Sequence, residues 1–153
     1  MKFTLKTRTE DDAYQIASWH YPPPYDFYDM DQDPEDLAAL LDPQTWREPY
    51  YTVFDEENKL VGFFVFKQAD QTVKVGLGLR PDLTGKGLGR AFINAGLSFG
   101  QEHFSAEMWS LSVATFNTRA IRLYERAGFA PLNTFLQQIN GGAYEFLRMV
   151  RPM

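Results

Sequence analysis

The 153 residues, 44% hydrophobic and 23% charged, exclude wholesale disorder and predict one domain over residues 1–153. No cysteine and two histidines, His20 and His103, exclude disulfides, thiolate metal sites and cysteine nucleophiles, and no metal is expected. A net charge of -5, the absence of any long apolar run and the lack of a secretory signal argue against nucleic acid and membrane partners and for a cytoplasmic protein.

Alternation in residues 2–7 predicts a half-buried strand with Phe3 and Leu5 on one face. Thr9 before Glu10, Asp11 and Asp12 reads as the start of a helix with Ala13, Ile16 and Ala17 on its apolar stripe. Pro22, Pro23 and Pro24 stop it, and an aromatic, acidic loop runs to Asp33. Asp33 and Pro34 open a second short helix ending near Asp42. Residues 50–54 and 59–67 then form a hairpin, and 72–79 a third strand of that group. Its face carrying Lys74, Gly76 and Gly78 has room for a ligand or another backbone to come close. A glycine-rich loop leads into a helix bearing Leu88, Phe92, Ala95 and Phe99. Residues 106–113 form a strand, and Asn117 caps a helix that Gly128 stops. Residues 129–139 and 143–150 are two last strands joined through Asn140, Gly141 and Gly142.

Two segments carry chemistry. The first is Thr84-Gly85-Lys86-Gly87-Leu88-Gly89-Arg90 at a helix start, where successive backbone N–H groups can hold a pyrophosphate. Its competing reading is a turn that only caps the helix. It has neither the pattern of a P-loop nor that of a dinucleotide fingerprint. The second, about thirty residues on, runs from Asn117 to Phe129 and includes Ala120, Leu123, Tyr124 and Gly128.

Together these segments resemble the Gcn5-related N-acetyltransferase (GNAT) superfamily. Gly87 and Gly89 fall on its Arg/Gln-x-x-Gly-x-Gly/Ala loop, with Thr84 where Arg or Gln is usual. Asn117, Ala120, Leu123, Tyr124, Gly128 and Phe129 fall on its second motif at every named position. The resemblance spans about residues 2–151 and implies a three-layer α/β fold. A mostly antiparallel sheet of about seven strands would have helices on both faces and a V-shaped split between strands 72–79 and 106–113. It implies acetyl-coenzyme A as co-substrate and an N-acetyltransferase moving acetyl to an amine of a small molecule or a peptide N-terminus. Leu77, Gly78 and Leu79 would offer backbone groups to the pantetheine arm, residues 84–90 would hold the pyrophosphate, and Asn117 would bond the pantetheine region. Tyr124 would protonate the departing thiolate; its alternative is a core aromatic, and that of Asn117 a plain helix cap.

The general base departs from the family pattern. Where many members carry Glu, this chain has Val73 and Ser112. Asp26, Asp29 and Glu145 are the substitute candidates, each also readable as a solvated surface acid, and an amine that binds neutral needs no strong base. Trp19, Tyr25, Asp26, Tyr28 and Glu145 are candidates for the acceptor side. The aromatics there read equally as a pocket wall and as a satellite core. A non-catalytic acyl-coenzyme A-binding or assembly domain, or transfer of another acyl group, is the alternative function. The aromatic content is compatible with a homodimer.

Overall fold

The structure, a computed structural model, describes residues 1–47 and 49–153. Eleven elements follow in the expected order. They are β1 (Thr4–Thr7), α1 (Glu10–Ala17), α2 (Pro34–Leu41), β2 (Tyr50–Phe54), β3 (Leu60–Ala69), β4 (Thr72–Leu79), α3 (Gly89–His103), β5 (Met108–Ala114), α4 (Thr118–Arg126), β6 (Ala130–Ile139) and β7 (Gly142–Pro152). The aromatic loop before α2 is not featureless: it contains 3-10 turns at Tyr25–Tyr28 and Met30–Gln32. β5 begins at Met108 rather than Ala106, and β7 continues to Pro152.

The strands form one sheet in the order β1-β2-β3-β4-β5-β7-β6. Every neighbouring pair is antiparallel except β4–β5, which is parallel. That parallel pair is short. Thr72, Val73 and Lys74 meet Met108, Trp109 and Ser110, and beyond them the two strands separate. The expected split is therefore present.

Helices cover both faces. On one, Phe92, Ile93 and Leu97 of α3 pack on Phe64, Phe66, Val73, Val75, Trp109 and Leu111. Phe64, Phe66 and Trp109 are fully buried, each contributing about 1.5–3 kcal/mol by leaving water. α3 lies close because its inner face is partly glycine. A Cβ at Gly96 would stand 2.2 Å from the Phe64 ring, and one at Gly100 2.3 Å from Trp109.

On the other face, Ala13, Ile16 and Leu40 form a smaller core that Trp19 and Phe63 border. α1 starts as the acids after Thr9 suggest. The Thr9 hydroxyl accepts from the Asp12 N–H at 3.1 Å, and the Asp12 carboxylate accepts from the Thr9 N–H at 3.1 Å. The Asp12 carboxylate also accepts from the Thr52 hydroxyl at 2.9 Å, fastening α1 to β2. The loop 25–33 is held from the far end of the sheet. Asn140, at the β6–β7 turn, donates through its N–H to Asp33 at 3.2 Å and through Nδ2 to the Phe27 carbonyl at 2.9 Å.

Candidate functional site

The opening between β4 and β5 continues into a cavity of about 460 Å³. Each surrounding element contributes for a local reason. In β4, the Arg80 N–H donates to the Val61 carbonyl, which sets the alternation of the β3–β4 ladder. Val75, Leu77 and Leu79 therefore direct their N–H and C=O groups away from β3, towards the split. An extended ligand segment could pair with them. One group is already used: the Tyr21 hydroxyl donates to the Leu79 carbonyl at 2.8 Å.

The glycines of β4 differ from the expectation of open space. A Cβ at Gly78 would lie 2.3 Å from the Phe63 ring, so an aromatic from β3 already fills that position. Gly76 has only ordinary contact, 3.8 Å from Val65, and remains accessible.

The loop before α3 behaves as an anion cradle. Gly85 and Gly87 have φ of +72° and +78°, which glycine adopts without strain. A Cβ on Gly87 would meet nothing within 4 Å, so backbone there is open to an approaching group. Among the described residues no side chain caps α3, whereas Thr9, Asp33 and Asn117 cap α1, α2 and α4. The first N–H groups of α3 are thus left for another acceptor. Arg119 of α4 stands beside this loop, 3.6 Å from where a Gly85 Cβ would be, with its guanidinium 4.1 Å over the Tyr25 ring. Gly89 serves a different end. Its Cβ would come 2.8 Å from Leu123, so it permits α3 and α4 to approach.

Asn117 is nearly buried and its side chain is committed at both ends. Oδ1 accepts from the Ala120 N–H at 3.1 Å, capping α4, and Nδ2 donates to the Tyr28 hydroxyl at 3.0 Å. Seven residues on, α4 brings Tyr124 to the cavity wall. Burial, with Tyr28 close by, raises the Tyr124 phenol well above its ordinary pKa. It therefore stays protonated through the neutral range.

Of the residues singled out in the sequence, Leu77, Gly78, Leu79, Thr84, Gly85, Gly87, Gly89, Asn117, Tyr124, Trp19, Tyr25 and Tyr28 line the cavity. Lys86, Leu88, Arg90, Asp26 and Glu145 do not. Glu145 follows from strand alternation: Tyr144 and Phe146 face Phe27, so Glu145 points to the opposite side of β7. Thr84 turns its hydroxyl to the Pro81 carbonyl at 2.7 Å. Asp29 is buried but occupied, accepting from the Tyr21 N–H at 2.8 Å and pairing with His20 at 3.0 Å. Asp31 joins these two in a group close enough to hold a metal, but neither Asp29 nor His20 lines the cavity.

The aromatic loop contributes both to a satellite cluster and to the cavity wall, and Tyr25 and Tyr28, which also contact Phe116, belong to both. Phe27 packs with Phe116, Tyr144 and Phe146 as a satellite core, while Trp19, Tyr25 and Tyr28 face the cavity. Tyr21, Met30, Phe63 and Arg119 also line it and were not singled out. Arg119 had a local signal, since it follows Asn117 in the second motif. Phe63 had none, because its place depends on which face of β3 meets Gly78.

The sequence profile of the acetyltransferase (GNAT) family matches residues 11–129. A mycothiol acetyltransferase of Propionibacterium freudenreichii subsp. shermanii is 38% identical over 98 residues, 60% of this chain and 31% of that protein. One from Acidimicrobium ferrooxidans is 32% identical over 140 residues, 82% of this chain and 42% of that protein. The chain thus spans about a third to two-fifths of the curated relatives it matches. A spermidine N-acetyltransferase from Vibrio cholerae, solved with CoA and spermine, superposes with a TM-score of 0.77 at 22% identity, covering 98% of this chain and 95% of that one.

Proposed function

The chain belongs to the acetyltransferase (GNAT) family, and on that premise we propose that it transfers acetyl from acetyl-coenzyme A to a primary amine. The reading treats residues 1–153 as one acetyltransferase domain. A small-molecule acceptor is favoured by the relatives' names, which refer to mycothiol and spermidine. The observation that carries the reading is one cavity joining three things: the uncapped start of α3 with its open glycine turn, the split between β4 and β5, and Tyr124.

Acetyl-coenzyme A supplies the acetyl group as a thioester. The residues fit its parts. Gly85, Gly87 and the first N–H groups of α3 would hold the pyrophosphate, with Arg119 adding positive charge. Leu77 and the N–H of Leu79 would pair with the pantetheine amides as an added strand would. Asn117 shapes this wall by fixing the α4 start and Tyr28, rather than through a free amide of its own.

In the transfer, a C–N bond forms while the C–S bond breaks. The amine loses one proton and the leaving sulfur gains one. Tyr124 donates to the sulfur and recovers its proton from solvent, into which the amine proton passes. No carboxylate lines the cavity among the described residues, so none is placed to take the amine proton directly. An amine that arrives neutral suits such a site.

Release of free thiol from acetyl-coenzyme A in the presence of an amine panel tests the activity. Amine-dependent release is expected. Coenzyme binding without release for any amine would favour a non-catalytic acyl-coenzyme A-binding domain.

A further inference from the structure

The acceptor end of the cavity has an unusual chemical balance. Its walls are Ile16, Trp19, Tyr21, Tyr28, Met30 and Phe63, all apolar or aromatic. The hydroxyls among them are satisfied internally: Tyr21 donates to the Leu79 carbonyl and Tyr28 accepts from Asn117. These residues therefore present ring surface rather than free polar groups. Phe63 stacks with Tyr50 at 5.3 Å and with Trp19 at 6.5 Å, so the wall is a continuous aromatic layer.

Charge points the same way. Among the described residues, the charged side chains on the cavity wall are Arg119 and Arg126, both positive. The Tyr25 ring, which could have received a ligand cation, is already covered by Arg119. A polycation would find no counter-charge here, and burying an unpaired ammonium is costly.

A further polar atom is available. The Ser112 hydroxyl is shielded from solvent and has no hydrogen-bond partner among the described residues, although Ser112 lines the cavity. β5 alternation puts Ser112 on the face away from Trp109, Leu111 and Val113, hence towards the aromatic loop. Buried hydroxyls are nearly always bonded, so an unpartnered one on a residue of the cavity wall marks a place for a ligand's polar atom.

We propose that the acceptor is a primary amine on an apolar, ring-bearing body, bound as the neutral amine with an N–H donated to Ser112 Oγ. This rests on the acetyltransferase reading and names its substrate class. The ring would stack on the Trp19–Phe63 layer, and the amine would stand at the sheet split. The hydrogen bond holds the nitrogen while leaving its lone pair free to attack.

The test compares 2-phenylethylamine, spermidine and glucosamine by thiol release, with coenzyme affinity measured separately by calorimetry. For 2-phenylethylamine, kcat/KM should exceed that of the other two by about tenfold or more, the scale on which apolar pockets discriminate. Below the amine's own pKa, about 10 for an aliphatic amine, kcat/KM should rise about tenfold per pH unit. Ser112→Ala should raise the KM for the amine several-fold and leave coenzyme affinity unchanged. Spermidine or glucosamine matching 2-phenylethylamine would overturn the acceptor class. So would coenzyme binding without turnover of 2-phenylethylamine. A break in the profile near pH 5–7 that does not move with the amine would overturn neutral binding. An unchanged KM in Ser112→Ala would overturn the role of that hydroxyl. Absence of coenzyme binding is the separate outcome that overturns the acetyltransferase reading and this proposal with it.

Discussion

Tyr124 has two properties that suit the proposed donor to a leaving thiolate: a place on the cavity wall and a phenol that is protonated at neutral pH, although burial makes it a weaker acid than a free phenol. Tyr124→Phe keeps the ring, including its edge contact with Phe129 at 6.3 Å between centroids, and removes the hydroxyl alone. Turnover should fall by about ten- to a thousandfold, the span of general acid catalysis at its lower end. Coenzyme affinity and melting temperature should stay close to wild type; a loss of stability with full activity would make the hydroxyl structural. His20 gives a second check at this scale. Its hydrogen bond to Asp29 raises its pKa above the ordinary value. The stability this contributes is fully present below the unfolded pKa of about 6.5 and is lost as pH rises through the folded value. An NMR titration should place the His20 midpoint above that of an unpaired histidine, and Asp29→Asn should lower it. An unshifted midpoint in the wild type would show that the pair does not persist in solution.

α3 owes its position to glycines that its own helix propensity disfavours. Gly96→Ala gains about 1 kcal/mol of propensity. The added methyl, however, meets the ring of Phe64, which is fully buried and has nowhere to move. Overpacking of this kind costs about 1–3 kcal/mol or more, so the net effect should be a lower melting temperature. An increase would mean that α3 can lift from the sheet at little cost. The starts of α1, α2 and α4 were legible because Thr9, Asp33 and Asn117 act on backbone within three residues. The start of α3 was legible for the opposite reason, a glycine run with no capping side chain. The purpose of Gly89 was not legible. It answers to Leu123, a residue of another helix, and no local pattern records that distance. The 3-10 turns at Tyr25–Tyr28 and Met30–Gln32 were also missed, since proline and scattered acids give no period there.

Across the whole molecule, the sheet explains why one end of β4 is a site. Parallel pairing at Thr72–Lys74 joins the two halves, and separation beyond it leaves backbone groups of Val75 and Leu77 and the N–H of Leu79 for a ligand. The order of elements followed from alternation and turn residues, whereas the location of this split was implied by the family resemblance that the two motifs carry. The wall around the acceptor end was legible only in part, through Trp19, Tyr25 and Tyr28. Tyr21 and Met30, from the loop between α1 and α2, meet Phe63 only because that loop and one face of β3 come together in the fold. Asn117 caps α4 as its position before the helix suggests, yet its partner Tyr28 lies 89 residues away, a distance no motif spans.

The claim on which the rest depends is that the glycine turn before α3 binds the coenzyme's pyrophosphate. Gly87 offers a clean substitution site, with open space around its Cβ position. Its φ of +78° is one that Asn and Asp tolerate better than other residues. Gly87→Asn and Gly87→Asp have nearly the same shape and similar backbone strain, and differ by one negative charge. Calorimetric titration of acetyl-coenzyme A into wild type and both variants should give a dissociation constant that rises in the order wild type, Asn, Asp. The step from Asn to Asp should be about tenfold, as expected for one unfavourable charge contact of about 1.4 kcal/mol. Equal affinities in all three proteins would contradict the assignment.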